Sequence, residues 1–438
     1  MVLASLWPET GGVGSWLWFW LVTLLAFLWL KRHSDISRGK NEPILCAEPD
    51  AAGEAELPGL TVLVAAKDEQ ENIARCLTGL LAQDYPRLQV VCINDRSGDR
   101  TGAIIDELAA RDPRLVAVHV RQLRAGWFGK NNAMREGVAR ATGAWLCFSD
   151  ADCVHDSDQL LKSAVRFAQR QGADFLSVLP KLDGGTFWER VIQPAAGAVM
   201  LFWFPPPKVN DPSSSRAYAN GAFMLMRRSA YERIGTHEAV KATLNEDMHM
   251  ARLAKRSGVR LRVIRGGDMY RVRMYVGFRQ SWRGWSRIFY GCFGTFWRLL
   301  ASFLFLAISS VLPYVTLLAA PWMGSAAGWL AGAAGLAIVA QQTVLWRLYH
   351  VTGAGAPWAL SYPIGSTLCM LMVLNAMRRL GGGARTTWRG TTYTGGARTD
   401  AVATVEAAPA PTAVRSDDVP ALHEDARARE RLRTREPV

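Results

Sequence analysis

Apolar and polar positions divide this chain of 438 residues into three kinds of stretch. The first is long and uncharged. Residues 16–30, WLWFWLVTLLAFLWL, continue an uncharged run that begins near Gly11 and stops at Lys31, Arg32 and His33. That is close to the ~20 residues a helix needs to cross hydrocarbon. Three more such runs lie near 299–320, 325–345 and 357–377, and 324–336 (GSAAGWLAGAAGL) is rich in the small residues that let helices pack closely in a bilayer. The second kind is short. LTVLVAA (60–66), LQVVCIND (88–95), LVAVHV (115–120) and the run at 144–149 read as buried strands, separated by segments of helical spacing at 69–83, 99–111 and 130–141. Further strands are expected at 222–227, 259–264 and 269–275, with a helix after 246. Strands that are apolar throughout and alternate with helices predict an α/β class, a Rossmann-like, mostly parallel sheet covered on both faces. The third kind is polar and irregular, at 34–57 and again toward the C-terminus.

The resulting organisation is a transmembrane helix in 1–33, a linker over 34–57, an α/β domain over 58–277, an interfacial helix over 278–298, about three transmembrane helices in 299–380 and a tail over 381–438. Trp, Phe and Arg interleave in 278–298, as they do in segments anchored at a membrane surface. The tail is expected to be disordered, being rich in Ala, Pro and Arg with few large apolar residues. Residues 186–207, which include AAGAVMLFWFPPPK, are too short and too interrupted by proline to span. They fit either a core helix or a segment that dips into the membrane surface and shapes a lipid entrance.

Charge refines this picture. The formal net charge is +13, which admits nucleic acid, a membrane surface or anionic substrates as partners. The basic residues are spread over linker, membrane flanks and tail rather than over one aromatic-lined patch, so no nucleic acid is expected and a membrane-embedded protein is. Lys31, Arg32 and His33 directly after the first span place the N-terminus outside and the α/β domain in the cytoplasm, in an integral protein of the cytoplasmic membrane. No cleavage site follows that span, which argues against a signal peptide. Four spans return the C-terminus to the outside, whereas Arg378, Arg379, Arg385 and Arg389 favour the cytoplasm; the two signals conflict. The seven cysteines form no CxxC pair and read as reduced, and the seven histidines form no metal-ligand pattern.

Ligands of open parallel sheets bind outside the carboxyl ends of the strands, and acids gather there. The first strand ends at Lys67, Asp68 and Glu69, the second at Asp95, the fourth at Asp150 and Asp152 in SDADC. Two carboxylates one residue apart repel unless a cation lies between them, and hard oxygen ligands select Mg2+ or Mn2+ completed by phosphate oxygens. Asp99 suits a helix N-cap. Lys130, in GWFGKNNA, opens a helix where a phosphate is favourably held. LNEDMHM brings Glu246 and Asp247 to another helix start, with Asp247 the candidate general base. QSWRGW supplies Gln280, Arg283 and Trp285: the arginine for a diphosphate, the indole for an acceptor pocket.

The order of these motifs resembles the processive and lipid-modifying branch of the family 2 glycosyltransferases, over about 58–290. The flanking spans look like those of members that glycosylate ceramide, hopanoids or carotenoids. The resemblance implies a GT-A fold, a nucleotide-sugar donor (a UDP-sugar), a membrane lipid acceptor and metal dependence. It matches Asp95 to the nucleotide-binding aspartate, Asp150 and Asp152 to the metal and diphosphate pair, and Asp247 to the catalytic base. Asp68, Glu69, Lys130 and Glu246 are grouped with the substrate-binding residues, and Gln280, Arg283 and Trp285 with the last motif. That motif is usually Gln-x-x-Arg-Trp, and Gly284 stands here between Arg283 and Trp285. Only about three spans follow the domain, which favours single transfer to a lipid over a processive polymer synthase. WRGTTY (388–393) resembles a short C-terminal motif of related enzymes and has no assigned role.

Overall fold

In the computed structural model the short apolar runs become one sheet buried on both faces. The structure describes residues 12–39, 42–47 and 56–380, with three short strands beyond them. After helix α1 (Val13–Gly39) come β1 (Leu60–Ala66), α2 (Ile73–Leu81), β2 (Leu88–Asp95), α3 (Thr101–Ala109), β3 (Leu115–Val120), α4 (Gly129–Val138) and β4 (Trp145–Asp150). Next are β5 (Cys153–His155), α5 (Leu160–Arg170), β6 (Phe175–Leu179), β7 (Lys181–Leu182), α6 (Phe187–Trp203), α7 (Pro206–Asn210), β8 (Phe223–Arg227) and α8 (Arg228–Arg233). The domain closes with α9 (Glu246–Arg256), β9 (Leu261–Arg265) and β10 (Tyr270–Val272). Helices α10 (Gly277–Phe293), α11 (Phe296–Phe305), α12 (Leu312–Ala319), α13 (Ala327–Thr352) and α14 (Tyr362–Leu380) follow.

The sheet runs β3-β2-β1-β4-β8-β6-β9, with β8 antiparallel to both neighbours and the other pairs parallel. This is the mostly parallel, helix-flanked arrangement expected of the GT-A class. Successive side chains on β1 point to opposite faces. Val62 and Val64 join the core that includes α2 and α5, while Leu63 joins the core that includes α4 and α9. Ala65 pairs with Asp150 and Ala66 with Asn94, so β1, β2 and β4 end at one edge of the sheet. Their terminal acids are thereby brought together. In a small sheet, β5-β10-β7, β10 is the strand expected within 269–275, while β5 and β7 have no counterpart in the sequence pattern, because two- and three-residue strands leave no periodic trace. Strand β6 also escaped the pattern, since FLSVL is short and carries Ser177 in its centre.

Segment 187–203 is one continuous helix despite Pro194, α6, with Val191, Ile192, Ala195, Ala196 and Val199 buried. It packs on α10 and α14. Phe187 and Leu201 remain exposed, at 51% and 40%. Glu189 in its first turn is fully buried and is the tie between α6 and the start of α10. Its carboxylate accepts from Gly185 N (2.7 Å), Thr186 Oγ1 (2.7 Å), Gly277 N (2.8 Å) and Arg273 Nε (3.2 Å). Burial alone would raise its pKa; the bonds from Gly277, Arg273, Thr186 and Gly185 outweigh it and hold the carboxyl down to about 2. Stability from this group is therefore present above the normal carboxylate range and is lost as pH falls toward 2. Glu189→Ala leaves a buried set of donors and Arg273 without their acceptor, so a loss of about 3 kcal/mol is expected in thermal or denaturant melting of the detergent-solubilised chain.

Four helical stretches are long and apolar enough to cross a membrane: Val13–Ser37, Phe296–Trp322, Gly324–Thr352 and Ala356–Leu380. Of the small residues read from the sequence, Ala333 and Ala334 of α13, joined by Ala337 and Ala340 just beyond that stretch, share one packed cluster with Val22 and Ala26 of α1. Trp29 Nε1 donates to Ser309 O at 2.8 Å and Trp18 Nε1 to Thr316 Oγ1 at 3.0 Å, tying the first span to the second. The interfacial helix ends earlier than expected. Gly294 takes a left-handed φ of 60° that stops α10, and α11 begins at Phe296. Within 381–438, strands Arg385–Trp388, Thr391–Thr394 and Thr404–Glu406 pair antiparallel; the remainder of that segment, with part of WRGTTY, lies outside the described residues.

Candidate active site

The carboxyl edge of the sheet opens into a cavity of about 1480 Å³. Glu69, Asp95, Lys130, Asp150, Asp152, Glu246 and Asp247 all line it, as does Trp285. Three loops hold the central group. The start of α4 is fastened to the segment before α9, because Phe128 N donates to Lys241 O (2.8 Å) and Asn131 Nδ2 to Val240 O (2.7 Å) and Thr243 O (3.0 Å). That fastening sets Lys130 beside α9. Its Nζ lies 2.6 Å from Asp150 Oδ1 and 2.7 Å from Glu246 Oε1. Burial would lower the lysine pKa, but the two carboxylates outweigh it and hold the ammonium well above its ordinary value. Lys130 is thus the cation that joins the end of β4 to the first turn of α9.

Asp152 differs from its neighbour. Its Oδ1 is buried and without a hydrogen-bond partner. Burial first, then the charges of Asp150 and Glu69, push its pKa up to about 7. A buried carboxylate oxygen with no donor, close to other carboxylates, is the chemistry a hard divalent cation satisfies. Among the described residues no group of three or more His, Cys, Asp or Glu is placed to hold an ion by itself. Asp150 and Asp152 therefore fit a cation whose remaining ligands come from elsewhere, as phosphate oxygens do for Mg2+.

Asp247 accepts from Met248 N through Oδ1 (2.7 Å) and from Gly221 N through Oδ2 (3.0 Å). Burial, and next the charge of Glu246, raise its pKa to about 7, against the opposing pull of Lys130. Gly221 is a cavity-lining position the sequence did not announce. A Cβ there would lie 3.1 Å from Lys130 Nζ and 3.5 Å from Asp247 Oδ2, so the missing side chain leaves room where these groups converge.

Comparison with known proteins gives these positions a context. Residues 61–235 match the family described as Glycosyl transferase family 2. They form a family 2 glycosyltransferase domain. The chain is 35% identical over 99 residues to a probable glycosyltransferase, YdaM, of Bacillus subtilis, covering 22% of this chain and 23% of that one. It is 26% identical over 259 residues to the beta-monoglucosyldiacylglycerol synthase of a Synechocystis strain (57% and 51%), and 24% identical over 259 residues to the 4,4'-diaponeurosporenoate glycosyltransferase of Staphylococcus aureus (58% and 68%). The matches thus span about a quarter and a half of the length of the first two relatives. Among solved structures, the mannosyltransferase PcManGT of Pyrobaculum calidifontis, in complex with GDP-Man and Mn2+, aligns with a TM-score of 0.48 at 18% identity, covering 82% of this chain and 99% of that one.

Around the family 2 domain the remaining expected residues divide. Asp95 is buried at the end of β2 and pairs with Arg96 through both oxygens, at 2.8 and 3.0 Å. Glu69 is buried and accepts from Asn72 Nδ2 at 2.9 Å. Asp68 is not a lining residue. With a φ of 53° it braces two loops, its Oδ1 accepting from Gly98 N at 2.9 Å and its N donating to Ser97 Oγ at 3.0 Å. Nor are Gln280 and Arg283 brought to the cavity: both are exposed on α10, and Gln280 Oε1 caps its own helix by accepting from Val276 N at 2.9 Å. The arginine of α10 that does line the cavity is Arg287, hydrogen-bonded to the Tyr275 hydroxyl. It lies four residues beyond Arg283, one helical turn, and the motif spacing gave no sign of it. The unusual glycine also has a reason. A Cβ on Gly284 would collide with the Tyr275 ring, so this position admits no side chain. Gly284→Trp, which restores the usual motif, is expected to displace Tyr275 and Arg287 and to lower the melting temperature rather than improve activity.

Proposed function

We propose that the chain transfers a sugar from a nucleotide-sugar donor, a UDP-sugar, to a hydroxyl of a membrane lipid, with inversion at the anomeric carbon. The observation that carries this reading is the continuity of one cavity. Its floor is the carboxylate edge of a family 2 glycosyltransferase domain, and its walls include Gly197, Ala198, Met200 and Leu201 of α6 and Leu348 and Tyr349 of the third candidate span. A water-soluble donor can reach the floor and an apolar acceptor can reach it along the walls. A relative named as a beta-monoglucosyldiacylglycerol synthase accords with that acceptor class.

In this reading Asp95 contacts the nucleoside, and Asp150 and Asp152 hold Mg2+ or Mn2+. The bound ion supplies charge neutralisation for the diphosphate leaving group. Lys130, released from Asp150, and Arg287 add positive charge at the same place. Asp247 takes the proton of the lipid hydroxyl. That oxygen forms a bond to the anomeric carbon from the face opposite the leaving group, and the bond to the diphosphate breaks. One base and no carboxylate nucleophile give inversion. The domain faces the cytoplasm by the charge that follows the first span. A base works only when deprotonated, and burial sets Asp247 to about 7. Turnover is expected to fall about tenfold per pH unit below that value, with a plateau above it, in a pH–rate profile of kcat.

The experiment is a screen of labelled UDP- and GDP-sugars with the purified full chain and a total lipid extract. Label partitioning into the organic phase is expected. Label retained in a water-soluble polymer would favour a processive synthase, and no nucleotide-sugar binding at all would favour a non-catalytic membrane scaffold.

A further inference from the structure

Buried polar side chains are almost always hydrogen-bonded, and each exception calls for a reason. On the membrane side of the cavity three exceptions lie on three different helices. Gln193 of α6 is 3% exposed, and both its Nε2 and its Oε1 lack a partner. Trp285 of α10 is 5% exposed, with Nε1 unpartnered, and Tyr349 of α13 is 1% exposed, with its hydroxyl unpartnered. All three line the same cavity. Trp285 and Tyr349 share one apolar cluster with Ile192, the neighbour of Gln193, and with Met248, the neighbour of Asp247. Space is present as well. Gly197 lies one turn after Gln193 on the same side of α6 and also lines the cavity, and a Cβ added to it would meet nothing within 4 Å.

We propose that Gln193, Trp285 and Tyr349 form the subsite that holds the polar headgroup of the acceptor, and that this headgroup is uncharged and hydroxyl-bearing. The proposal rests on the lipid-glycosylating reading above and adds the acceptor's chemical class. An amide presents a donor and an acceptor, an indole N–H only a donor, and a phenol both. A hydroxyl both gives and receives a hydrogen bond, so it can donate to Gln193 Oε1 and accept from Gln193 Nε2, Trp285 Nε1 or Tyr349. A carboxylate or phosphate accepts only, and it would leave Gln193 Oε1 desolvated against a negative charge. In the apolar surroundings of this cluster each bond made to the headgroup also removes the cost of an unmade one. The acyl chains would then run along the apolar wall of α6 and α13, and for transfer the hydroxyl would turn its one proton from Gln193 Oε1 to Asp247 while keeping the bonds it accepts.

The test uses the full chain in detergent with dioleoylglycerol and oleate as probes, read by the shift of the melting temperature with probe concentration. Dioleoylglycerol should stabilise the wild type and oleate should not. Gln193→Leu and Tyr349→Phe should each weaken the apparent affinity for dioleoylglycerol about tenfold, the size of one lost hydrogen bond in a dry site. Neither endangers the fold, because each removes a group that has no partner. Gly197→Phe, which fills the open space, should abolish the shift. Affinity for dioleoylglycerol unchanged in both polar variants, equal stabilisation by oleate, or no stabilisation of the wild type by dioleoylglycerol would each overturn the subsite. Binding of UDP and GDP with Mn2+ is measured alongside. If nucleotide binds and the lipid results fail, the subsite alone is lost; if the wild type binds no nucleotide, the transferase reading goes with it.

Discussion

Asp247→Asn is expected to reduce turnover by about a thousandfold or more while leaving the affinity for the nucleotide-sugar within a few-fold of wild type. General base catalysis contributes on the order of 10²–10⁴, and the residual rate should lose the acid limb near pH 7. The substitution preserves shape but not charge, and its cost to the fold is limited. Asp247 accepts from two backbone N–H groups, of Met248 and Gly221. The asparagine oxygen keeps one of these bonds, and its amide group faces the other donor. A loss of about 1–2 kcal/mol in stability should accompany the change, well short of unfolding. Isothermal titration with the donor and a single-turnover rate separate the two effects. A variant that turns over at near the wild-type rate would remove Asp247 from the chemistry, and one that fails to bind donor would move it to the donor site.

Asp152→Ala is expected to abolish the dependence of nucleotide affinity on Mn2+, with a weakening on the order of 100-fold at saturating metal. The reason lies in the difference between the two acids of the SDADC segment. Asp150 already has a cation, since Lys130 Nζ lies 2.6 Å from its Oδ1. The Oδ1 of Asp152, in contrast, is buried without a partner. Removing Asp152 therefore removes the oxygen with the most to gain from a metal. Lys130→Met should act in the opposite direction on the apo protein, because it frees Asp150 and Glu246 and deepens the negative field at the site. Calorimetric titration of UDP at increasing Mn2+ measures both. An unchanged metal titration for Asp152→Ala would assign the metal, if any, to other groups.

The fold was legible where burial imposed a period. β1, β2 and β4 are mostly apolar because they are buried inside the sheet, and the acids at or just after their ends were readable, whereas β3, at the sheet edge, is only partly buried and ends without an acid. The spans were legible by length and charge alone. What was not legible depended on contacts between distant segments. The two-residue strand β7 forms only against β10. The role of Glu189 needs Gly277 and Arg273, more than eighty residues away, to be beside it. The last motif shows the limit most plainly. Its letters suggested Gln280, Arg283 and Trp285, whereas the helix turns the first two to the outside and brings only Trp285 of the three to the cavity, together with the unannounced Arg287, with Gly284 leaving space for Tyr275. Spacing along a chain places a side chain on a face of a helix, but only packing says which face meets the site. Gln193 and Tyr349 had no sequence signal, since a lone amide or phenol in an apolar helix looks like any other.

The central claim is that one sugar passes from a nucleotide to a membrane lipid at this cavity. Its most direct test is mass spectrometry of the organic-phase product formed by the purified chain from a single labelled nucleotide-sugar and total lipid extract, with the Asp247→Asn variant as the matched blank. The account predicts a lipid species heavier by one sugar residue, absent from the blank and bearing the anomeric configuration opposite to the donor's. Label confined to a water-soluble polymer, a product of retained configuration, or equal product from the Asp247→Asn variant would contradict it.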